Sequence, residues 1–174
     1  MPWARDEPAD LDATVLRLRR FRGEFDLGVD FLYGIFDREE REVLGGTGLH
    51  TRAGEGAREI GYWIHAAQVR RGYATEAAAA LTRVAFEIDG VRRVEIRCDP
   101  KNVVSAGVPR KLGFTLEAVL PGDTVDVDGR PRDTMVWSLL RDAHPTSFAS
   151  SVEIEAFDVL GRRLLPRTSG HDPG

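Results

Sequence analysis

Apolar positions along the chain recur with a period near 3.6 in some stretches and of two in others, and the changes of period mark its elements. Leu11, Val15, Leu18 and Phe21 share a helical face, which predicts a helix over 10–21 capped by Asp10 or Asp12. Phe31–Phe36 and Val43–His50 read as strands around a charged turn, hence a hairpin. Residues 51–58, with Gly54 and Gly56, read as loop. Residues 59–65 are rich in aromatic and β-branched side chains and suit a sheet interior. Ala77, Leu81, Val84, Ala85 and Ile88 return to helical spacing, so a long helix runs to Asp89, with Glu76 in its first turn and Gly90 after it. Arg93–Cys98 alternates Val94, Ile96 and Cys98 with charges, a strand ended by Asp99-Pro100. Val103–Leu112 reads as a short helix closed by Gly113, although Pro109 lies inside it. Residues 114–119, 124–127 and 134–139 read as strands, with Asp128-Gly129 as a hairpin turn. Residues 150–165 read as a strand in their first half or as a short helix, and 166–174 as a mobile polar tail.

The basic turn between strand 59–65 and the long helix is where chemistry enters. The first backbone N–H groups of a helix have no partner inside it, and the dipole adds partial positive charge there. Gly72 lets a ligand approach the backbone, and Arg70 and Arg71 add formal charge. Such a turn suits a phosphate or pyrophosphate, each charged hydrogen bond contributing about 1.5–3 kcal/mol. The same residues equally describe an ordinary turn with solvated arginines.

Composition narrows the field. At 174 residues, 42% hydrophobic and 30% charged, the chain suits a single globular core. A net charge of −4 and a pI near 5.6 give no support for nucleic-acid binding. One cysteine, Cys98, excludes an internal disulfide and fits a reducing cytoplasm. No signal peptide or membrane-spanning apolar run is evident. The four histidines have no metal-ligand spacing.

Val69-Arg70-Arg71-Gly72-Tyr73-Ala74 resembles the acyl-CoA pyrophosphate loop of the GNAT superfamily, usually Gln/Arg-x-x-Gly-x-Gly/Ala. Gly72 and Ala74 match; Val69 departs from the Gln or Arg of the pattern. GYW, GYATEA and RCDPKNVVSAGVPRKLGF, in that order, resemble the ribosomal-protein N-acetyltransferase (RimJ/RimL-like) branch over about 31–140. The resemblance implies an α/β fold of GNAT type, with a mixed, mainly antiparallel sheet flanked by helices. The family's usual first strand and helix come before the matching order, so either the sequence starts late or that layer is lacking. A tail strand over 152–157 is then a candidate cover for the exposed edge. Residues 1–143 would form the acetyltransferase domain and 144–174 a C-terminal extension.

The implied cosubstrate is acetyl-CoA, with no metal. Its pantetheine arm would lie between strands 59–65 and 93–98 against the backbone of Trp63, Ile64 and His65. Val69, Arg70, Arg71, Gly72, Tyr73, Ala74 and Thr75 would hold its pyrophosphate. Asn102 resembles the asparagine that meets the CoA arm, and Ser105 the serine beside the thiol, a candidate acid; helix capping is their alternative. Lys101, Arg110 and Lys111 are either phosphate contacts or surface charges.

Glu59 and Glu95 are the candidate bases, each with the alternative of a solvated strand charge. Neutralising a terminal α-amine at pH 7 costs about 1 kcal/mol, against about 4.6 kcal/mol for a lysine. A weak carboxylate or a water relay therefore suffices for an N-terminus. The reading is acetyl transfer to a primary amine by direct attack, with a protein N-terminal α-amine favoured. A small-molecule amine (polyamine, amino acid or antibiotic) and a non-catalytic acyl-CoA-binding module remain alternatives. The expected partners are acetyl-CoA and an amine acceptor, without nucleic acid or membrane, and a homodimer is left open.

Overall fold

The structure is a computed structural model and describes residues 10–126 and 128–165. Helix α1, Leu11–Asp26, starts where Asp10 Oδ1 accepts from the amides of Asp12 (3.0 Å) and Ala13 (3.2 Å). It runs beyond the predicted end at Phe21. Phe25 meets Phe31 and Tyr33 edge-on at 5.4 Å each, and this packing holds the added turn despite Gly23.

The strands are β1 Phe31–Phe36, β2 Val43–His50, β3 Ala57–Ile64, β4 Arg93–Cys98, β5 Thr115–Val125 and β6 Pro131–Leu140. They form one six-stranded sheet in the order β1-β2-β3-β4-β6-β5. Only β3 and β4 run parallel; the other neighbours are antiparallel, as expected of a mixed sheet. Parallel neighbours need a long crossover. Here it is α2, Tyr73–Arg83, extended by a π-helical turn at Val84–Ile88.

That π-turn shifts the phase of the last turn of the helix. Of the predicted stripe Ala77, Leu81, Val84, Ala85 and Ile88, Leu81 and Ala85 are buried and Val84 packs against the core, while Ile88 is 37% exposed. Ala78, Ala79, Thr82 and Phe86 are buried alongside Leu81 and Ala85. They pack against Ile60, Val94, Ile96 and Leu139 of the sheet and Ala106, Val108 and Leu112 of α3, Val103–Leu112. The extra residue in the π-turn rotates the phase of the last turn, and Phe86 takes the place a regular repeat assigns to its neighbours.

Past β6 the chain forms short 3₁₀ turns and lies over α2 rather than along the sheet. Ala149 and Leu165 are buried. The buried Arg83 fixes this path, donating to Glu87 at 2.7 Å and to the carbonyl of Val152 at 2.9 Å. The expected edge strand over 152–157 does not form. Only an isolated Phe157–Arg163 bridge appears, and β1 and β5 are the sheet edges. The Val152 carbonyl that a new strand would need is engaged by Arg83. No helix among the described residues is long and apolar enough to cross a membrane. The predicted tail over 166–174 lies outside the described residues.

Candidate active site

Gly72 is the N-cap of α2, with φ 94° and ψ −13°, and no side chain caps the helix. The first intrahelical bond runs from Glu76 N to Gly72 O at 3.0 Å. The amides of Tyr73, Ala74 and Thr75 precede it and have no acceptor within the helix. A Cβ at Gly72 would meet nothing within 4 Å, so the left-handed φ, not crowding, calls for glycine. Arg70 has φ 64°, unusual for a side-chain-bearing residue and a mark of a strained, shaped loop. Arg70, Arg71 and Val69 are exposed.

Lys111 of α3 lines a shallow hollow with Gly72, Thr75, Glu76, Phe148 and Val152, its ammonium 5.8 Å from the Phe148 ring centre. Of the three basic residues in 101–111, this one lies beside the helix start. Arg110 instead stacks over Trp137 at 5.6 Å, and Lys101 is exposed beyond β4.

Beside that helix start the sheet opens. β3 and β4 pair only from Ala57–Arg93 to Ile60–Ile96. β3 continues through Gly61, Tyr62, Trp63 and Ile64, which stay paired with β2 but leave β4. This diverging half has no ladder pairing to β4, the place expected for an extended amide-bearing arm. Trp63 is 40% exposed, and His65 follows as an exposed residue whose Nδ1 accepts from Ala67 N at 3.3 Å.

On the helix-facing side of the fork lie hydroxyls and a thiol. Asn102 caps α3, its Oδ1 accepting from Ser105 N at 3.0 Å, so this side-chain oxygen does the capping work foreseen as the alternative. Ser105 is buried, and its Oγ lies 3.3 Å from Tyr62 Oη. Tyr62 Oη donates to the carbonyl of Ser105 at 3.0 Å. Burial pushes the Tyr62 phenol well above its ordinary value, so it stays protonated. Burial also pushes up the Cys98 thiol, which leaves it neutral and a weak nucleophile at neutral pH.

The opposite face carries charge. Glu59 and Glu95 sit side by side in the β3–β4 register, one step before the fork, and both are buried. Arg52 grips both Glu59 oxygens, Nε to Oε2 at 2.9 Å and Nη2 to Oε1 at 2.5 Å. Arg97 lies between the acids, 3.1 Å from Glu95 and 3.8 Å from Glu59. Arg93 joins Glu95 (2.8 Å) to Glu117, and Ser138 Oγ donates to Glu117 at 2.6 Å. The Arg93 guanidinium, helped by Ser138, pulls the Glu117 carboxyl down to about 2. Neither candidate base is a free carboxylate in this lattice; each oxygen it would offer a proton is already a hydrogen-bond acceptor.

Residues 1–115 match the family model described as an acetyltransferase (GNAT) domain. The chain belongs to the GNAT family. Its sequence is 32% identical over 110 residues to the uncharacterised N-acetyltransferase YoaA of Bacillus subtilis, covering 63% of this chain and 62% of that protein. The chain thus spans about three-fifths of the length of this curated relative. A GNAT-family protein of Chromobacterium violaceum, described as a probable acetyltransferase, superposes with TM-score 0.64 at 34% identity, covering 79% of this chain and 68% of its own. A Vibrio cholerae protein provisionally named a ribosomal-protein-serine acetyltransferase gives TM-score 0.62 at 28% identity, with 72% of each chain covered.

Within this GNAT domain, the loop, the fork and Ser105 converge, whereas Glu59 and Glu95 fall on the other face of the sheet. Sequence reasoning missed Tyr62, Arg52 and Arg97 as participants. Tyr62 was signalled by its parity with the buried Ile60 and by Pro109, which must leave a carbonyl unpaired one turn back. Arg52 carried no signal, because its approach to Glu59 depends on a 3₁₀ turn at Thr51–Ala53. Among the described residues no cluster of three or more His, Cys, Asp and Glu could hold a metal ion.

Proposed function

We propose that the protein transfers acetyl from acetyl-CoA to a primary amine, a protein N-terminal α-amine in particular, by direct attack in a ternary complex. The observation that carries this is the fork: β3 leaves β4 after Ile60 directly beside a helix start that no side chain seals. The amides of Tyr73, Ala74 and Thr75 would hold the diphosphate, assisted by Arg70, Arg71 and Lys111. The strand backbone of Trp63, Ile64 and His65 would hold the pantetheine, with Asn102 at its side. Ser105 Oγ, which donates to Tyr62 Oη at 3.3 Å, would turn that hydrogen bond to the departing sulfur. The raised thiol of Cys98 supports direct attack over a cysteinyl intermediate.

The α-amine acceptor is supported by the chemistry of the base. Glu59, held by Arg52, and Glu95, held by Arg93 and Arg97, are weakly available proton acceptors, and an α-amine asks only about 1 kcal/mol of them. The provisional name of the Vibrio cholerae relative, a ribosomal-protein-serine acetyltransferase, points to a protein acceptor. The test is a panel of N-terminal peptides and small amines assayed for CoA release. Turnover on α-amine peptides, well above hydrolysis and above lysine side chains, is expected. Turnover confined to polyamines would replace the acceptor, and none at all would favour a binding module.

A further inference from the structure

Pro109 has no N–H, so it cannot bond the carbonyl of Ser105, four residues earlier in α3. A buried carbonyl left without a donor is costly. The partner it has found is a side chain from another element: Tyr62 Oη, at 3.0 Å. The same oxygen lies 3.3 Å from Ser105 Oγ. Tyr62 therefore spends its one proton on the carbonyl and offers a lone pair to the serine hydroxyl.

The position of Tyr62 gives this arrangement its consequence. It stands in the half of β3 that has left β4, beyond the last paired step at Ile60–Ile96. Ser105 belongs to the helix that follows β4. The hydroxyl thus spans the helix side of the gap, tying one diverging strand to the element fed by the other.

We infer that Tyr62 and Pro109 act together as a strut: the proline frees the Ser105 carbonyl, and the tyrosine uses it to fix the width of the β3–β4 cleft and the orientation of Ser105. Tyr62 is a positioning residue, with its proton committed elsewhere, and not the acid. The cleft half of this inference rests on the acetyl-CoA reading; the hydroxyl–carbonyl pairing does not.

The two halves separate in a pair of variants. Tyr62→Phe orphans the carbonyl and should lower the Tm by about 5 °C. It should weaken acetyl-CoA binding about tenfold while adenosine 3′,5′-bisphosphate, which lacks the arm, binds within about twofold of the unaltered protein. Adding Pro109→Ala supplies a backbone N–H to the orphaned carbonyl. The double variant should regain the Tm but not the acetyl-CoA affinity, because the tie across the gap is still missing. Equal loss of both ligands in Tyr62→Phe, or recovery of acetyl-CoA affinity together with Tm, would overturn the cleft role. Failure of Pro109→Ala to restore any of the Tm would overturn the pairing. If the unaltered protein binds no acetyl-CoA, the proposed function and the cleft half fall together, and the Tm rescue still decides the pairing.

Discussion

The two faces of the β3–β4 fork are built on opposite plans. On the helix side, polar groups are few: the first amides of α2, which have no acceptor within the helix, the half of β3 that has left β4, and the Tyr62–Ser105 hydroxyl pair. On the other side, Arg52, Arg93 and Arg97 hold Glu59, Glu95 and Glu117 in a lattice of short ion pairs. A binding site needs unsatisfied groups held in place, whereas a saturated lattice resists change. The contrast teaches that a buried acid beside a cleft is not thereby a base; its hydrogen bonds decide.

The largest expected effect lies on the open side. Gly72→Val forces a β-branched residue into φ 94° and moves the amides behind it. Acetyl-CoA affinity measured by calorimetry should fall about a hundredfold, equivalent to losing one or two charged hydrogen bonds. Unchanged affinity would erase the difference between the faces.

Next comes the lattice. Glu95→Ala removes one partner of Arg93, which keeps Glu117, and the hydrogen-bonded partner of the 37%-exposed Arg97, and should destabilise the protein by about 1–2 kcal/mol in urea unfolding. If the protein lost activity with no loss of stability, Glu95 would belong to the chemistry instead.

A smaller effect sharpens the point at Glu59. Glu59→Gln keeps the shape but weakens the grip of Arg52. On an α-amine peptide kcat should drop by about tenfold or less, with the KM for acetyl-CoA unchanged. A collapse of kcat by several orders of magnitude would make Glu59 an obligatory base.

The smallest effect is in acid. Glu117 has its folded value lowered from 4.5 to about 2, so its contribution is complete above pH 4.5 and is lost as the pH falls from there towards 2. Glu117→Gln should therefore lower stability modestly at neutral pH, its side chain being 37% exposed, and flatten the acid limb so that the two proteins converge towards pH 2. Parallel acid limbs in the two proteins would contradict the assignment.

Sequence periodicity located β1, β2, β4 and α3 at their observed bounds, because each is set by local alternation, a breaker or a glycine cap. The glycine turn and its helix were equally visible. The exposure of Ile88 was not, since a π-turn leaves no mark in the apolar spacing. Nor was the last turn of α1, which depends on where Phe25 finds Phe31 and Tyr33. The tail could not be placed, because its anchor is the buried Arg83 on a helix some seventy positions earlier. The candidate cofactor groups were legible because backbone carries them and motif spacing fixes backbone. The ion pairs of the acids were not legible, because the arginines that hold them arrive from neighbouring turns and strands.

Backbone-amide NMR during an acetyl-CoA titration tests the central claim most directly. The expected result is saturable shifts at Tyr73, Ala74 and Thr75 and at Tyr62, Trp63, Ile64 and His65, with Arg93, Val94 and Glu95 nearly still. Shifts confined to the charged face, or none at the front of α2, would contradict it.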